Sequence, residues 1–200
     1  FTFNKNYNET KLTTTITVNK KALTIKANDA TSVYGENIKT NIGYTQTGLV
    51  KGEKITGVTV STDAKKGDSV GTYTTFVNVK NGSMSNYDIA TTNGTYTITK
   101  ATDSNDYSSL FTNKTVDYDG TEQTITMTSV PEGYTASYTN NTRTSAGSQT
   151  ATVVLTNSNY NDITLTATLT VNKKAITVSA DNKTSNYGDE IVELTATPNA

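Results

Sequence analysis

The feature that most constrains this chain is an internal repeat. Residues 6–35 read NYNETKLTTTITVNKKALTIKANDATSVYG and residues 159–188 read NYNDITLTATLTVNKKAITVSADNKTSNYG, identical at 18 of 30 positions with an offset of 153. Most of the differences keep their character, such as Ile16 to Leu169 and Ile25 to Val178. A fixed period of this kind means one folding unit repeated along the chain. The 200 residues hold one full period and the opening of the next. The chain opens on Phe1 rather than Met, which reads as a segment of a longer protein.

A weaker repeat lies inside the period. NYDIATTNGTYTITKA (86–101) aligns with NYNDITLTATLTVNKKA (159–175) at an offset of 73 up to the Lys. Each ends in an alternating strand followed by Lys-Ala, so this strand closes one unit and the next opens just after it. The expected organisation is residues 1–20 as the C-terminal strand of a preceding B-type repeat, 21–100 as an A-type repeat and 101–173 as a B-type repeat. Residues 174–200 then begin the next A-type repeat. The linkers are short and lack Pro/Gly stretches, as at Lys20-Lys21 and Lys173-Lys174, which favours a stiff array over free beads.

The unit is a β unit. Residues 164–171, TLTATLTV, alternate without a break, with Leu165, Ala167, Leu169 and Val171 facing one way and four Thr the other. The run 12–18 repeats the pattern with Leu12, Ile16 and Val18. Further strands are expected at 21–27, 54–60, 71–79, 95–100, 115–118, 122–129, 133–139 and 148–156. They are punctuated by Asn-Gly, Asp-Gly or Glu-Gly at 81–82, 93–94, 119–120 and 132–133. The expected fold is all-β: tandem small antiparallel β-sandwich-like (Ig-like) domains in an extended rod. Composition bears on this in one way. Only 33% of residues are hydrophobic, but the 44 Thr mostly alternate with apolar residues and just 2 residues are Pro. Thr packs well on a pleated surface, so the polarity describes hydroxyl-covered outer faces rather than disorder.

Most chemistry is excluded. The chain has no Cys, His or Trp, which removes the usual nucleophilic triads and nearly all zinc sites. With 17 Lys+Arg against 18 Asp+Glu and no basic stripe, nucleic acid is not an expected partner. No apolar run is long enough to cross a bilayer as a helix. No pair of acids stands out for glycoside hydrolysis, and the expectation is a protein without enzymatic activity or cofactor. The acidic turns raise structural Ca²⁺. Asp103, Asn105 and Asp106 lie at a unit's start, and Asp117, Asp119 and Glu122 lie around a turn. The competing reading takes all six as solvated turn residues, and their spacing fits no EF-hand loop.

Asn-Tyr recurs at 6–7, 86–87 and 159–160, and Ser-x-Tyr-Gly at 32–35 and 185–188. These read as tyrosines plugging a core edge beside a Gly that needs positive φ, ahead of aromatic ligand contacts. Tyr118-Asp119-Gly120 reads likewise, as a turn with a packing anchor. Six N-glycosylation sequons begin at Asn8, Asn81, Asn93, Asn113, Asn140 and Asn182, a number that so Asn- and Thr-rich a chain produces by chance. A Lys–Asn isopeptide cross-link is a further way to stabilise a Cys-free unit.

At KKALTIKANDATSVYGE (20–36) and NYDIATTNGTYTITKA (86–101) the chain resembles the MBG domain of the Tyr-Gly-x type, found in large bacterial surface proteins. Residues 115–174 resemble a second MBG-type repeat that alternates with the first. The sequence departs from the family after Tyr34-Gly35, where Asn37 to Tyr44 stands in place of a Pro-rich stretch. The resemblance implies an extracellular, multi-repeat, adhesin-like protein at the cell surface. The family's name is linked with mucin binding, but no ligand residue maps onto this chain. The expected function is therefore a stalk or filament module that spaces a distal binding region from the cell. The alternatives are a ligand-binding adhesin module and a self-assembling fibre or surface-layer component. Expected partners are neighbouring repeats of the same chain, then host glycans or proteins, or like chains.

Overall fold

A computed structural model describes residues 5–6 and 11–199. It divides into two units, 1–100 and 101–200. Fifteen strands and one short 3-10 turn make up its regular structure, with no α-helix among the described residues.

The first unit has two sheets. One has the order β3-β1-β6, from β1 (Lys21–Ala27), β3 (Tyr44–Thr47) and β6 (Tyr87–Thr92). The other has the order β2-β7-β5-β4, from β2 (Ala30–Val33), β4 (Val58–Thr62), β5 (Gly71–Val79) and β7 (Gly94–Thr99). Alternation along β1 puts Leu23, Ile25 and Ala27 fully inside. Leu23 and Ile25 pack with Tyr87 in one small core, while Ile42, Ala64, Tyr96 and Ile98 form another.

The direction of pairing departs from the antiparallel expectation. β1 runs parallel to β6, with Lys21 opposite Tyr87 and Lys26 opposite Thr92. β2 runs parallel to β7, with Ala30 opposite Tyr96 and Val33 opposite Thr99. Both pairings keep the same offset of 66 residues. The first arm of the unit (21–33) thus lies beside its last arm (87–99) throughout, and both arms pass from one sheet to the other midway. Two-residue alternation shows which face is buried but is silent on direction. A parallel pair needs a long crossover, and here the whole remainder of the unit supplies it.

The crossing point is tightly built. Thr75, fully buried, donates its hydroxyl to the Asn28 carbonyl at 3.0 Å. The Asp29 carboxylate accepts the Thr95 N–H at 2.7 Å, filling the gap between the two ladders. Gly94 sits against this point: a Cβ there would lie 2.5 Å from the Ala27 carbonyl oxygen and 2.7 Å from Thr75 Oγ1.

The second unit repeats the plan in a different sequence. Its four-stranded sheet has the order β10-β12-β13-β8, from β8 (Lys114–Asp117), β10 (Thr135–Thr139), β12 (Gly147–Thr156) and β13 (Ile163–Asn172). β8 is parallel to β13, and the other two pairs are antiparallel. This is the order and polarity of β2-β7-β5-β4. The parallel run is broken, however: Ala101 bridges Tyr160, and pairing resumes only at Lys114 opposite Leu169. Between them lie the 3-10 turn Ser108–Leu110 and Phe111, which enters the core with Val153, Leu155 and Leu169. A two-stranded patch joins β9 (Gln123–Thr124) to β11 (Thr142–Arg143). β14 (Thr177–Ala180) pairs antiparallel with β15 (Ala196–Asn199).

Two expected strands fail for different reasons. Residues 12–18 form no strand, and Leu12, Ile16 and Val18 are 84% exposed or more. Their period twins in β13 are held between β12 and β8, whereas among the described residues no strand pairs with 12–18. Alternation without a ladder on either side does not hold a strand. In 122–129 the alternation is honoured, with Ile125 and Met127 buried, but pairing shrinks to Gln123–Thr124. The backbone is satisfied elsewhere: Ile125 N–H donates to Asn141 O at 2.9 Å and Thr128 N–H to Leu110 O at 2.9 Å.

Candidate functional site

The recurring tyrosines come first, because they were the candidates for ligand contact. Tyr87 of the recurring Asn-Tyr motif, and two tyrosines outside the recurring motifs, use the hydroxyl to accept a backbone N–H from a loop that has no ladder of its own. Tyr96 accepts from Lys39 at 2.9 Å, Tyr87 from Val50 at 3.0 Å and Tyr138 from Met127 at 3.2 Å. Tyr87 also donates to the Glu53 carboxylate, and burial together with that acid pushes its pKa up. Each phenol thereby ties a loop to the core. The Asn of each described Asn-Tyr pair does a matching job. Asn86 O accepts Lys21 N–H and Asn159 O accepts Ala101 N–H, each at 3.0 Å. Asn6 is described, but Tyr7 lies outside the described residues.

Ser-x-Tyr-Gly ends in the expected conformation, with Gly35 at φ +83 and Gly188 at φ +96. Tyr34 packs against the core that holds Tyr96. Its twin Tyr187 is fully exposed. Tyr118-Asp119-Gly120 is a turn, with Gly120 at φ +85. Tyr118 is 41% exposed, however, and is no packing anchor. The turn is held from behind, by Tyr118 N–H donating to Asn172 O at 2.9 Å.

The most built polar cluster surrounds Asp103. One carboxylate oxygen accepts Asn105 N–H at 3.0 Å and Asn105 Nδ2 at 2.7 Å. The other accepts the hydroxyls of Tyr107 at 2.9 Å and Tyr134 at 2.7 Å. Tyr107 meets Tyr134 edge-on at 5.9 Å, and Tyr134 stacks on Tyr160 at 6.4 Å. The Tyr134 bond leads the effects that hold Asp103 below the usual carboxylate range, while burial and the Asp103 charge push Tyr134 up. Four donors match the roughly four acceptor sites of a carboxylate. Asp103 is thus a hydrogen-bond hub tying the unit's opening segment to Tyr134, with its acceptor capacity used inside the protein. Sequence reasoning missed the hub because Tyr134 and Tyr160 carry no spacing signal toward Asp103.

The other five calcium candidates are dispersed. Asn105 donates to Asp103 rather than offering its oxygen. Asp106 accepts Ser108 N–H at 2.9 Å, which heads the 3-10 turn. Asp117 accepts from Asn172 Nδ2 at 3.1 Å. Asp119 accepts Thr121 N–H at 2.8 Å and its hydroxyl at 2.7 Å, and also takes Gln123 Nε2; the Thr121 bonds lower its pKa most. Glu122 is exposed beside them. Among the described residues no three acids converge as a metal site would need. Lys114 Nζ donates to the Thr124 carbonyl at 2.8 Å, so this amine faces a main-chain oxygen and not an Asn side chain. Of the sequons, Asn81, Asn93, Asn113, Asn140 and Asn182 are exposed, and Asn8 lies outside the described residues.

One open groove of about 540 Å³ runs between the Tyr118 turn, Ala146 and Ile176. Its apolar wall explains itself through the period. Ile176 and Val178 are 58% and 59% exposed, whereas their twins Leu23 and Ile25 are at 0%. The wall is thus lined by a residue whose period twin is a core residue of the first unit.

What these features define is an all-β protein built from several small sheets, in which Tyr34, Tyr87 and the Asp103 cluster serve the fold. Residues 23–97 match the family model of the MBG domain, YGX type. The match spans the first unit from the third rung of β1 into β7 and contains Tyr34-Gly35. The comparison with curated proteins found no match. No helix among the described residues is long and apolar enough to cross a membrane.

Proposed function

We propose that this chain is a run of non-catalytic spacer modules from a large bacterial surface protein, displaying a distal binding region away from the cell. The observation that carries this is the parallel pairing of first and last arms in each unit. Two strands that run side by side in the same direction begin at one end and finish at the other. The chain therefore enters a unit at one end and leaves at the opposite end, so each repeat advances the chain along the strands. Lys100 alone separates β7 from Ala101, which is already bonded to Asn159 and Asn161. The MBG match is compatible with this reading.

The test is small-angle scattering on a protein of several 153-residue periods. A rod whose length grows in proportion to repeat number supports the spacer reading. A compact or freely jointed particle overturns it. Binding of the two-unit chain on a glycan array, or reversible association in ultracentrifugation, would favour the adhesin or fibre alternative instead.

A further inference from the structure

We propose that the first unit is a load-bearing clamp, built so that tension along the chain meets its strongest direction. The idea deepens the spacer reading, since a module in a tethered chain is pulled through its two ends.

The geometry is set by two arms. A pull on the chain before Lys21 drags the first arm backward along its own axis. A pull after Thr99 drags the last arm forward. The arms are parallel neighbours in constant register, six residue pairs in β1 and β6 and four in β2 and β7. The load therefore slides one arm along the other, and every rung resists at once. If the same arms were pulled apart from one end, the rungs would open one after another, each alone against the force. Backbone ladders are many individually modest bonds, so loading them together or in sequence decides the barrier. Resistance to forced unfolding is a matter of that barrier, not of equilibrium stability.

Three details fit a clamp. The ladder is locked at its start by Lys21 N–H on Asn86 O at 3.0 Å. Its end is continued by Tyr34 N–H on Thr99 O at 2.9 Å. Its weak point, where both arms change sheet, is spanned by Asp29 on Thr95 N–H, and Thr75 of β5 holds Asn28 O beside it. The second unit lacks the continuous version. Its parallel contact is one bridge at Ala101 and a separate run of four pairs at Lys114–Asp117. The second unit should therefore yield first.

The chain has no Cys, so engineered thiols give unique attachment points. The experiment is single-molecule pulling on the full chain with paired substitutions at exposed positions. Lys20→Cys with Lys100→Cys loads the arms along their length. Lys20→Cys with Ser85→Cys loads the start of both arms and peels Lys21 from Tyr87 onward. Thr102→Cys with Lys173→Cys loads the second unit end to end. The clamp predicts an unfolding force for the 20/100 pair several-fold above the 20/85 pair at equal pulling speed, with the 102/173 pair below the 20/100 pair. Equal forces for 20/100 and 20/85 overturn it. Asp29→Ala is the second arm of the test: it should lower the 20/100 force and leave the 20/85 force unchanged, because peeling peaks before reaching the crossing. An equal drop in both would mean only a weakened fold, and would also overturn the clamp. A rod in scattering with equal pulling forces would leave the spacer reading standing and remove the clamp alone.

Discussion

The carbonyl oxygen of Asn159 accepts the backbone N–H of Ala101 at 3.0 Å. Asn86 does the same for Lys21 in the first unit at the same distance. The two pairs sit at equivalent places: each opening residue lies opposite the Tyr of an Asn-Tyr pair on a parallel neighbour. The motif thus fastens the entering chain. Ala101→Pro deletes the donor and leaves Asn159 O without it, and should cost about 1–3 kcal/mol. Calorimetry of the full chain checks this, since about 4–8 °C is lost per kcal/mol in a domain of this size. An unchanged melting profile would show that the fastening does no work.

Tyr96→Phe keeps the ring in its fully buried site and removes the acceptor for Lys39 N–H. The expected loss is about 1–3 kcal/mol, the cost of a stranded donor. Hydrogen exchange at Lys39 should accelerate well beyond that of β5. Exchange that rises uniformly across the unit would point to general loosening instead.

Gly94→Ala places a methyl against the Ala27 carbonyl, Thr75 and Asp29 where the arms change sheet. Overpacking of this kind costs about 1–3 kcal/mol. Gly82→Ala is the contrast: no neighbour lies within 4 Å, but φ is +79, so its cost is backbone strain alone. Thermal melts should rank Gly94→Ala as the more damaging.

The Asp103 hub gives the second unit a pH dependence of known sign. Its folded pKa is depressed, chiefly by the Tyr134 hydroxyl, so the stabilisation is whole above the ordinary value of 3.8 and is lost as pH falls through the folded value. Tyr134 is raised, so its contribution is whole below 10 and fades as pH climbs beyond it. Urea titrations between about pH 5 and about pH 2 should show the acid loss in the wild-type chain. Asp103→Asn should flatten it, and a loss of the same steepness in that variant would assign the effect to other acids.

Much of the scaffold was legible from residue pattern. Strands 21–27 and 71–79 have the expected bounds, and β13 extends its expected run by one residue at each end. Alternation works there because each strand buries one face. It fails for Ala30–Val33 and Tyr44–Thr47, which are short, largely polar edge strands. It fails also for Tyr87–Thr92, whose placement is set by β1 and not by its own composition. Strand direction was beyond reach, since a parallel and an antiparallel partner ask for the same alternation. The phenol-to-loop bonds and the Asp103–Tyr134 bond join residues 11 to 57 positions apart, and no local pattern announces such pairs.

Pairing the first arm of a unit with its last has a consequence for how the chain becomes folded. Residues 21–33 find their parallel partners only at 87–99, so that ladder cannot close until almost the whole unit has been made, although Thr24–Ala27 can pair earlier with Tyr44–Thr47. Contacts this distant in sequence make folding slow relative to local pairing. As the chain grows from its N-terminus, the first unit can pair β1 with β3 early, but its two arms join only when the last of them has arrived.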